Sequence, residues 1–165
     1  MMAKFGRDSI LLWAVQYKVD GFRFDIMGHM PKALLVNIRT DLDKLTLAKN
    51  GVDGTKVILY GEGWNFGEVM DNARFPQATQ KGLKGTNIAT FNDRLRDAVQ
   101  GGGPFDDDPS AQGFGSGLFT NSNGDDKANG DPSKQQGILI NLTDNVKMGL
   151  IGQLTDYSLV NAFGK

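Results

Sequence analysis

Two short apolar stretches, each delivering a carboxylate at its end, constrain this 165-residue chain more than any other feature. The first is Val19-Asp20-Gly21-Phe22-Arg23-Phe24-Asp25, and the second runs from Lys56 through Tyr60 to Gly61-Glu62-Gly63-Trp64. Val19 to Ile26 alternates small, aromatic and charged residues, which predicts a strand. Lys56 to Tyr60 is a continuous apolar run, as expected of a strand buried on both faces of a parallel sheet. Between them Pro31 sits where a first helical residue is tolerated. Leu34, Ile38, Leu42 and Leu45 then follow at helical spacing and share one face. Asn50-Gly51 and Asp53-Gly54 close the unit with turns. Strand, helix, strand is a βα unit, so Asp25 and Glu62 are expected at the C-terminal ends of neighbouring parallel strands.

The rest of the chain extends this pattern. Residues from about Ala3 to Tyr17 predict a helix, with Ile10, Leu11, Trp13, Ala14, Val15 and Tyr17 apolar on several sides. Gly6 is out of place there, at about 1 kcal/mol against Ala. Residues 72–85 look like loop or broken helix, and Thr86 to Phe91 a third strand. Asp93 to Val99 is a short charged helix that stops at Gly101-Gly102-Gly103-Pro104. From about 100 to 133 the chain is a loop of Gly, Asp, Asn and Ser with few apolar anchors (Phe105, Phe114, Leu118 and Phe119). Connections that long are usually functional or disordered. A last helix, capped by Ser133, is expected to run to about Leu154, with Ile138, Leu142, Met148, Ile151 and Leu154 on its buried side.

Composition narrows the partners. The length suits one domain or a piece of a larger one. Hydrophobic content of 39% and charged content of 22% fit an ordinary globular protein. A net charge of −1 without a block of one sign argues against nucleic acid and a basic membrane-surface helix. No apolar run approaches the roughly 18 residues of a membrane span. There is no Cys, hence no disulfide framework and no cysteine metal site. Met1-Met2-Ala3-Lys4-Phe5 lacks the regions of a signal peptide.

Arg23 and Asp25 are two apart and share a face of their strand. A neighbouring guanidinium favours the charged form of a carboxylate, which a nucleophile needs; the same pair also suits a structural ion pair. Glu62 is flanked by two glycines that let a ligand approach the backbone. Trp64 just beyond is positioned to desolvate it, as a general acid requires. A strand-end Glu facing solvent is the plain alternative. Two carboxylates of unlike role on either side of a sugar bond are what glycoside cleavage uses.

These residues carry a resemblance. Val19-Asp20-Gly21-Phe22-Arg23-Phe24-Asp25-Ile26-Met27-Gly28-His29 resembles the nucleophile strand of the α-amylase superfamily of glycoside hydrolases. Tyr60-Gly61-Glu62-Gly63-Trp64-Asn65-Phe66-Gly67-Glu68 resembles the acid/base strand of its pullulanase and limit dextrinase branch. Phe91-Asn92-Asp93-Arg94-Leu95-Arg96-Asp97-Ala98-Val99, with the Gly-Gly-Gly-Pro-Phe that follows, is also similar to that branch. The resemblance runs from Met2 to about Tyr157. It implies an α/β fold of the (β/α)8 barrel type, with this chain a middle section of about strands four to six as one partial catalytic domain. Val57 and Leu59 would then fill the barrel interior.

The resemblance further implies hydrolysis of α-1,6 branch linkages in starch, glycogen or pullulan with retained configuration. Asp25 would be the nucleophile, Glu62 the general acid/base, and Arg23 would keep Asp25 ionised. His29 matches a substrate-binding His; Gly28 before it stands where amylases usually carry Lys. Trp64 and Asn65 would line the side that accepts the leaving chain. Arg94 is a candidate for the border of the groove, from which Arg96 diverges. The family's His-Asp-Asn motif, which carries a third catalytic Asp, does not occur, nor does its early Asp-Val-Val-Tyr-Asn-His strand. Thr143-Asp144-Asn145 lacks the preceding His, and His29 is the only His.

Two rivals remain. A non-catalytic glucan-binding or regulatory piece of the same barrel would be favoured by loss of Asp25 or Glu62, and both are present. A small doubly wound binding module needs a Gly-rich turn after its first strand, which Met27-Gly28-His29-Met30-Pro31 does not offer. The expected partner is a branched α-glucan, and no cofactor is required. Asp106-Asp107-Asp108 and Asn123-Gly124-Asp125-Asp126 offer the clustered oxygens that Ca2+ takes, without the full ligand spacing. Gly113-Phe114-Gly115-Ser116-Gly117 only superficially resembles a phosphate loop. Asn141-Leu142-Thr143 is a glycosylation sequon set inside an expected helix.

Overall fold

The computed structural model describes residues 2–103, 105–106, 108–123, 131–152, 157–161 and 164. The chain forms two compact units, Met1–Phe91 and Asn92–Lys165.

In the first unit, helix α1 (Met2–Tyr17) leads into strand β1 (Gly21–Phe24). A single 3-10 turn, Met27–His29, follows, and then helix α2 (Lys32–Asp43). The short helix α3 (Leu47–Asn50) precedes strand β2 (Ile58–Gly61), and the two-residue strand β3 (Ala89–Thr90) closes the unit. The strands lie side by side in the order β1-β2-β3, all parallel. Gly21 pairs with Ile58, Phe22 with Leu59, Arg23 with Tyr60 and Phe24 with Gly61. Each strand is shorter than the sequence predicts.

Helices cover one face of this sheet. The core joins Ala14 of α1, Leu35, Ile38 and Leu42 of α2, and Val57, Leu59, Ala78, Leu83 and Ile88. On α2 the fully buried position is Leu35 rather than Leu34, and Leu45 falls beyond the helix end. The strand parity also corrects the expectation for β2. Val57 and Leu59 point to the helices and are buried, whereas Ile58 points to the uncovered face and is 60% exposed. A period of two makes this choice all-or-none along a strand. On α1 only Ala14 is fully buried, and Leu12, Trp13 and Tyr17 face outward.

Arg39 on α2 is the buried polar anchor of this layer. Its Nη1 donates to the Val57 carbonyl at 2.5 Å, its Nη2 donates to the Gly54 carbonyl, and its Nε donates to Asp43 at 2.8 Å. It therefore satisfies main-chain carbonyls at the entry to β2. Arg7 of α1 pairs with Asp41 of α2, which Lys44 also contacts.

The second unit contains helix α4 (Asp93–Gln100) and helix α5 (Pro132–Leu150). Asn92 caps α4 by accepting the Leu95 N–H at 3.1 Å. Asp131 caps α5, accepting from Ser133 and Lys134, with Pro132 at the first helical position. The expected cap, Ser133, is thus inside the helix, because Pro132 suits the first turn and Asp131 precedes it. The two helices pack where Leu95 lies over Gly149; a Cβ on Gly149 would come within 2.5 Å of the Leu95 Cβ. Ile138, Leu142, Met148 and Ile151 are half-buried, and Leu154 lies outside the described residues. The described part of the loop is anchored rather than loose. Phe114 and Gly115 donate to the Ala98 and Val99 carbonyls, both at 2.9 Å, and Leu118 is buried. No helix among the described residues is long and apolar enough to cross a membrane.

Candidate active site

The pairing of Phe24 with Gly61 decides where the two carboxylates go. Asp25 and Glu62 are the next residues of their strands, so both leave the sheet at its C-terminal end. The ladder continues past the strands on both sides of Glu62. Its N–H donates to the Phe24 carbonyl at 3.2 Å, and its carbonyl accepts the Gly28 N–H at 2.8 Å.

Arg23 joins the pair. Its Nη1 donates to Asp25 Oδ1 at 2.5 Å, and its Nη2 contacts Glu62 Oε1 at 2.9 Å. The Asp25 side chain is 72% exposed and that of Glu62 only 23%. The hydrogen bond to Asp25 raises the Arg23 pKa above its ordinary value, against desolvation and with help from the Glu62 charge. Arg23 also lies over the Phe91 ring at 5.5 Å from its centroid, and Phe91 meets Tyr60 edge-on at 5.6 Å. The aromatic pair braces the guanidinium from the uncovered face. Sequence spacing finds the Arg23–Asp25 pair; the second contact, to Glu62, comes from strand pairing.

The turn after Asp25 brings in His29. Its ring packs against Phe66 at 4.4 Å, and its Nε2 is buried with no hydrogen-bond partner. An unpaired buried ring nitrogen is costly unless something else meets it. Gly28 is enclosed by the backbone of Trp64: a Cβ there would sit 1.9 Å from the Trp64 carbonyl oxygen. This close approach explains why no side chain occupies the position before His29. Gln77, itself buried, donates to the Gly28 carbonyl at 2.9 Å.

Trp64 is half-buried and Asn65 exposed. The Asn65 amide is locked to Asp71, donating to Oδ1 at 2.7 Å and accepting the Asp71 N–H at 2.9 Å. The polar contacts of the Glu62 carboxylate are Arg23 and the Ile26 N–H, at 2.9 Å each. Ile26 and Phe66 were not legible as site residues, since each depends on the path of a turn. Arg94 belongs to the second unit, where it is exposed and lines a cavity of about 460 Å³ with Asp97, Asp106, Leu142 and Asn145.

Among the described residues no group of three or more His, Cys, Asp or Glu could hold a metal ion. Asp106 accepts the Gly103 N–H and Asp108 accepts from Ser110. Asp107 and residues 124–126 lie outside the described residues.

Comparison with known proteins finds relatives along the whole chain. The chain is 46% identical over 165 residues to pullulanase 1, chloroplastic, of Arabidopsis thaliana, covering 100% of this chain and 17% of the relative. The chain is a pullulanase homologue over its whole length. It is also 38% identical to the pullulanase of Klebsiella aerogenes, covering 99% of this chain and 14% of that protein. Pullulanases belong to the α-amylase family. The ligand-free crystal structure of PulA from Klebsiella pneumoniae superposes with a TM-score of 0.78 at 38% identity, covering 99% of this chain and 14% of that one. A pullulanase from Anoxybacillus, complexed with maltotriose, matches at TM-score 0.63 and 30% identity, covering 92% of this chain and 17% of that one. The chain thus spans less than a fifth of the pullulanases it matches. No family model matches it.

Proposed function

We propose that this chain carries the nucleophile and the acid/base of a starch-debranching hydrolase, within a (β/α)8 barrel of which it supplies about strands four to six. The observation that carries the reading is Arg23, one guanidinium touching both carboxylates at the paired ends of two parallel strands. A sheet covered by helices on one face only is what part of a barrel wall would look like. Its uncovered face, with Ile58 and Arg23, would then point to the barrel interior.

Glu62 gives its proton to the α-1,6 glycosidic oxygen while the bond from that oxygen to the anomeric carbon breaks. An Asp25 carboxylate oxygen takes the anomeric carbon, forming a glycosyl ester. Glu62, now ionised, removes a proton from water, which attacks the same carbon and releases Asp25. Two displacements retain configuration. Retaining enzymes hold their carboxyls about 5–5.5 Å apart, against roughly 6.5–9.5 Å for inverting ones. A single planar fork bridging both groups supports the shorter spacing.

Around this pair, His29 offers its unpaired Nε2 to a sugar hydroxyl. Trp64 offers a ring face to the leaving chain, and Asn65, oriented by Asp71, an amide. Arg94 is proposed as a border residue of the groove. No cofactor enters these steps. The partner is a branched α-glucan.

The test is reducing-sugar release from pullulan by the full-length polypeptide. Asp25→Asn should abolish it. Glu62→Gln should lower it by about 10²–10⁴-fold and spare a substrate whose leaving group needs no proton. Binding of glucan with no turnover in the parent protein would instead identify a non-catalytic glucan-binding segment.

A further inference from the structure

Ile26, the residue after Asp25, sits at φ 43° and ψ 44°, in the left-handed region. β-Branched residues settle there only when their surroundings force them. Burial does not explain it, since the Ile26 side chain is 42% exposed. The turn is held by its own main chain: the Ile26 carbonyl accepts the His29 N–H at 2.9 Å. What the conformation achieves is a redirected donor. Phe24 and Gly28 bond to the main chain of Glu62, but between them the Ile26 N–H leaves the ladder and meets Glu62 Oε2 at 2.9 Å.

We infer that the Ile26 peptide N–H is a positioning donor that fixes the orientation of the Glu62 carboxyl group for its proton transfer. The inference rests on the proposed acid/base role of Glu62. A backbone N–H can only donate, so the oxygen it faces must accept. Oε2 is therefore held as an acceptor by the main chain. Oε1 accepts likewise from Arg23, but through a side chain able to swing away, whereas the peptide of Ile26 cannot. The strained residue also ties the orientation of the acid to the main chain one residue from the nucleophile. Ile26 is thus a positioning residue acting through Glu62, and its side chain is incidental.

The experiment replaces the Ile26 amide by an ester in the full-length polypeptide, using the α-hydroxy analogue of isoleucine, which removes the donor and keeps the side chain. Turnover of an α-1,6-linked glucan should fall by about 10–100-fold with KM unchanged, a part of what a general acid contributes. Turnover of maltotriosyl fluoride, whose leaving group needs no proton, should change less than about threefold. Ile26→Gly and Ile26→Asn keep the N–H and accept the left-handed conformation, so neither should show the ester's split between the two substrates. Equal losses on the two substrates, or none, would overturn the inference. So would a Glu62-like split between substrates in Ile26→Gly, which remains readable if the ester does not fold. Glu62→Gln is the control for the underlying reading. If it splits the substrates and the ester does not, only the role of Ile26 falls; if it does not split them, the acid/base assignment falls as well.

Discussion

Adding one methyl group at Gly28 should disable the site from beneath. In Gly28→Ala the new Cβ would lie 1.9 Å from the Trp64 carbonyl oxygen and 2.9 Å from the Trp64 carbonyl carbon and nitrogen. Carbon and oxygen atoms in even the tightest attractive contacts stay about 3.3 Å apart, so the two backbones must part by roughly 1.4 Å. No side chain can yield in their place, because every atom met is main chain. The bond from the Gly28 N–H to the Glu62 carbonyl, now 2.8 Å, breaks, and the bond from Gln77 to the Gly28 carbonyl is strained. Overpacking costs about 1–3 kcal/mol, and a lost hydrogen bond about 1 kcal/mol, for a total of about 2–5 kcal/mol once the strained bond is counted. Because Gly28 is bonded to Glu62 and lies three residues from Asp25, the displacement moves one carboxylate against the other. A misplacement of about 1 Å costs around 10²-fold in rate. The assay is pullulan turnover with a thermal melt of the full-length polypeptide. Turnover should fall similarly on natural and activated substrates, unlike the split expected for Glu62→Gln. A Tm and a kcat both unchanged would refute the reasoning.

Further outcomes can be checked independently. Arg39→Met should orphan the Val57 carbonyl, while the Gly54 carbonyl keeps the Val57 N–H, and cost about 1–3 kcal/mol, read from urea denaturation. Asp41 titrates below the usual carboxylate range because Lys44 and Arg7 bond to it. A lowered folded pKa gives stability that is present above the unfolded value and lost as pH falls through the folded one. Arg7→Met should therefore lower stability at neutral pH by on the order of 1 kcal/mol or less and flatten this acid dependence, seen in melts across that range. Gly6→Ala and Gly137→Ala place a methyl on helices where nothing lies within 4 Å, so each should stabilise by about 0.5–1 kcal/mol and raise Tm.

The sequence by itself determined the local terms. Apolar spacing located α1, α2 and α5, a charged segment ended by glycines located α4, and an alternating stretch and an apolar run located β1 and β2, each with its carboxylate one residue beyond the last paired position. The pairing of Arg23 with Asp25 follows from a strand period of two. Three motifs in order were enough to name the family. Strand ends were not legible, because where a ladder stops depends on which partner residues it meets. The face that Val57 and Leu59 occupy was misread for a related reason: an unbroken apolar run carries no parity, and only the docked helices choose a side. Tertiary structure alone made Arg23 bridge to Glu62, enclosed Gly28 against Trp64 and left the ring nitrogen of His29 without a partner. It also turned the Ile26 N–H onto a carboxylate 36 positions away. Each of these is a contact between segments distant in the chain, set by register and turn geometry, and no local pattern of residue types encodes it.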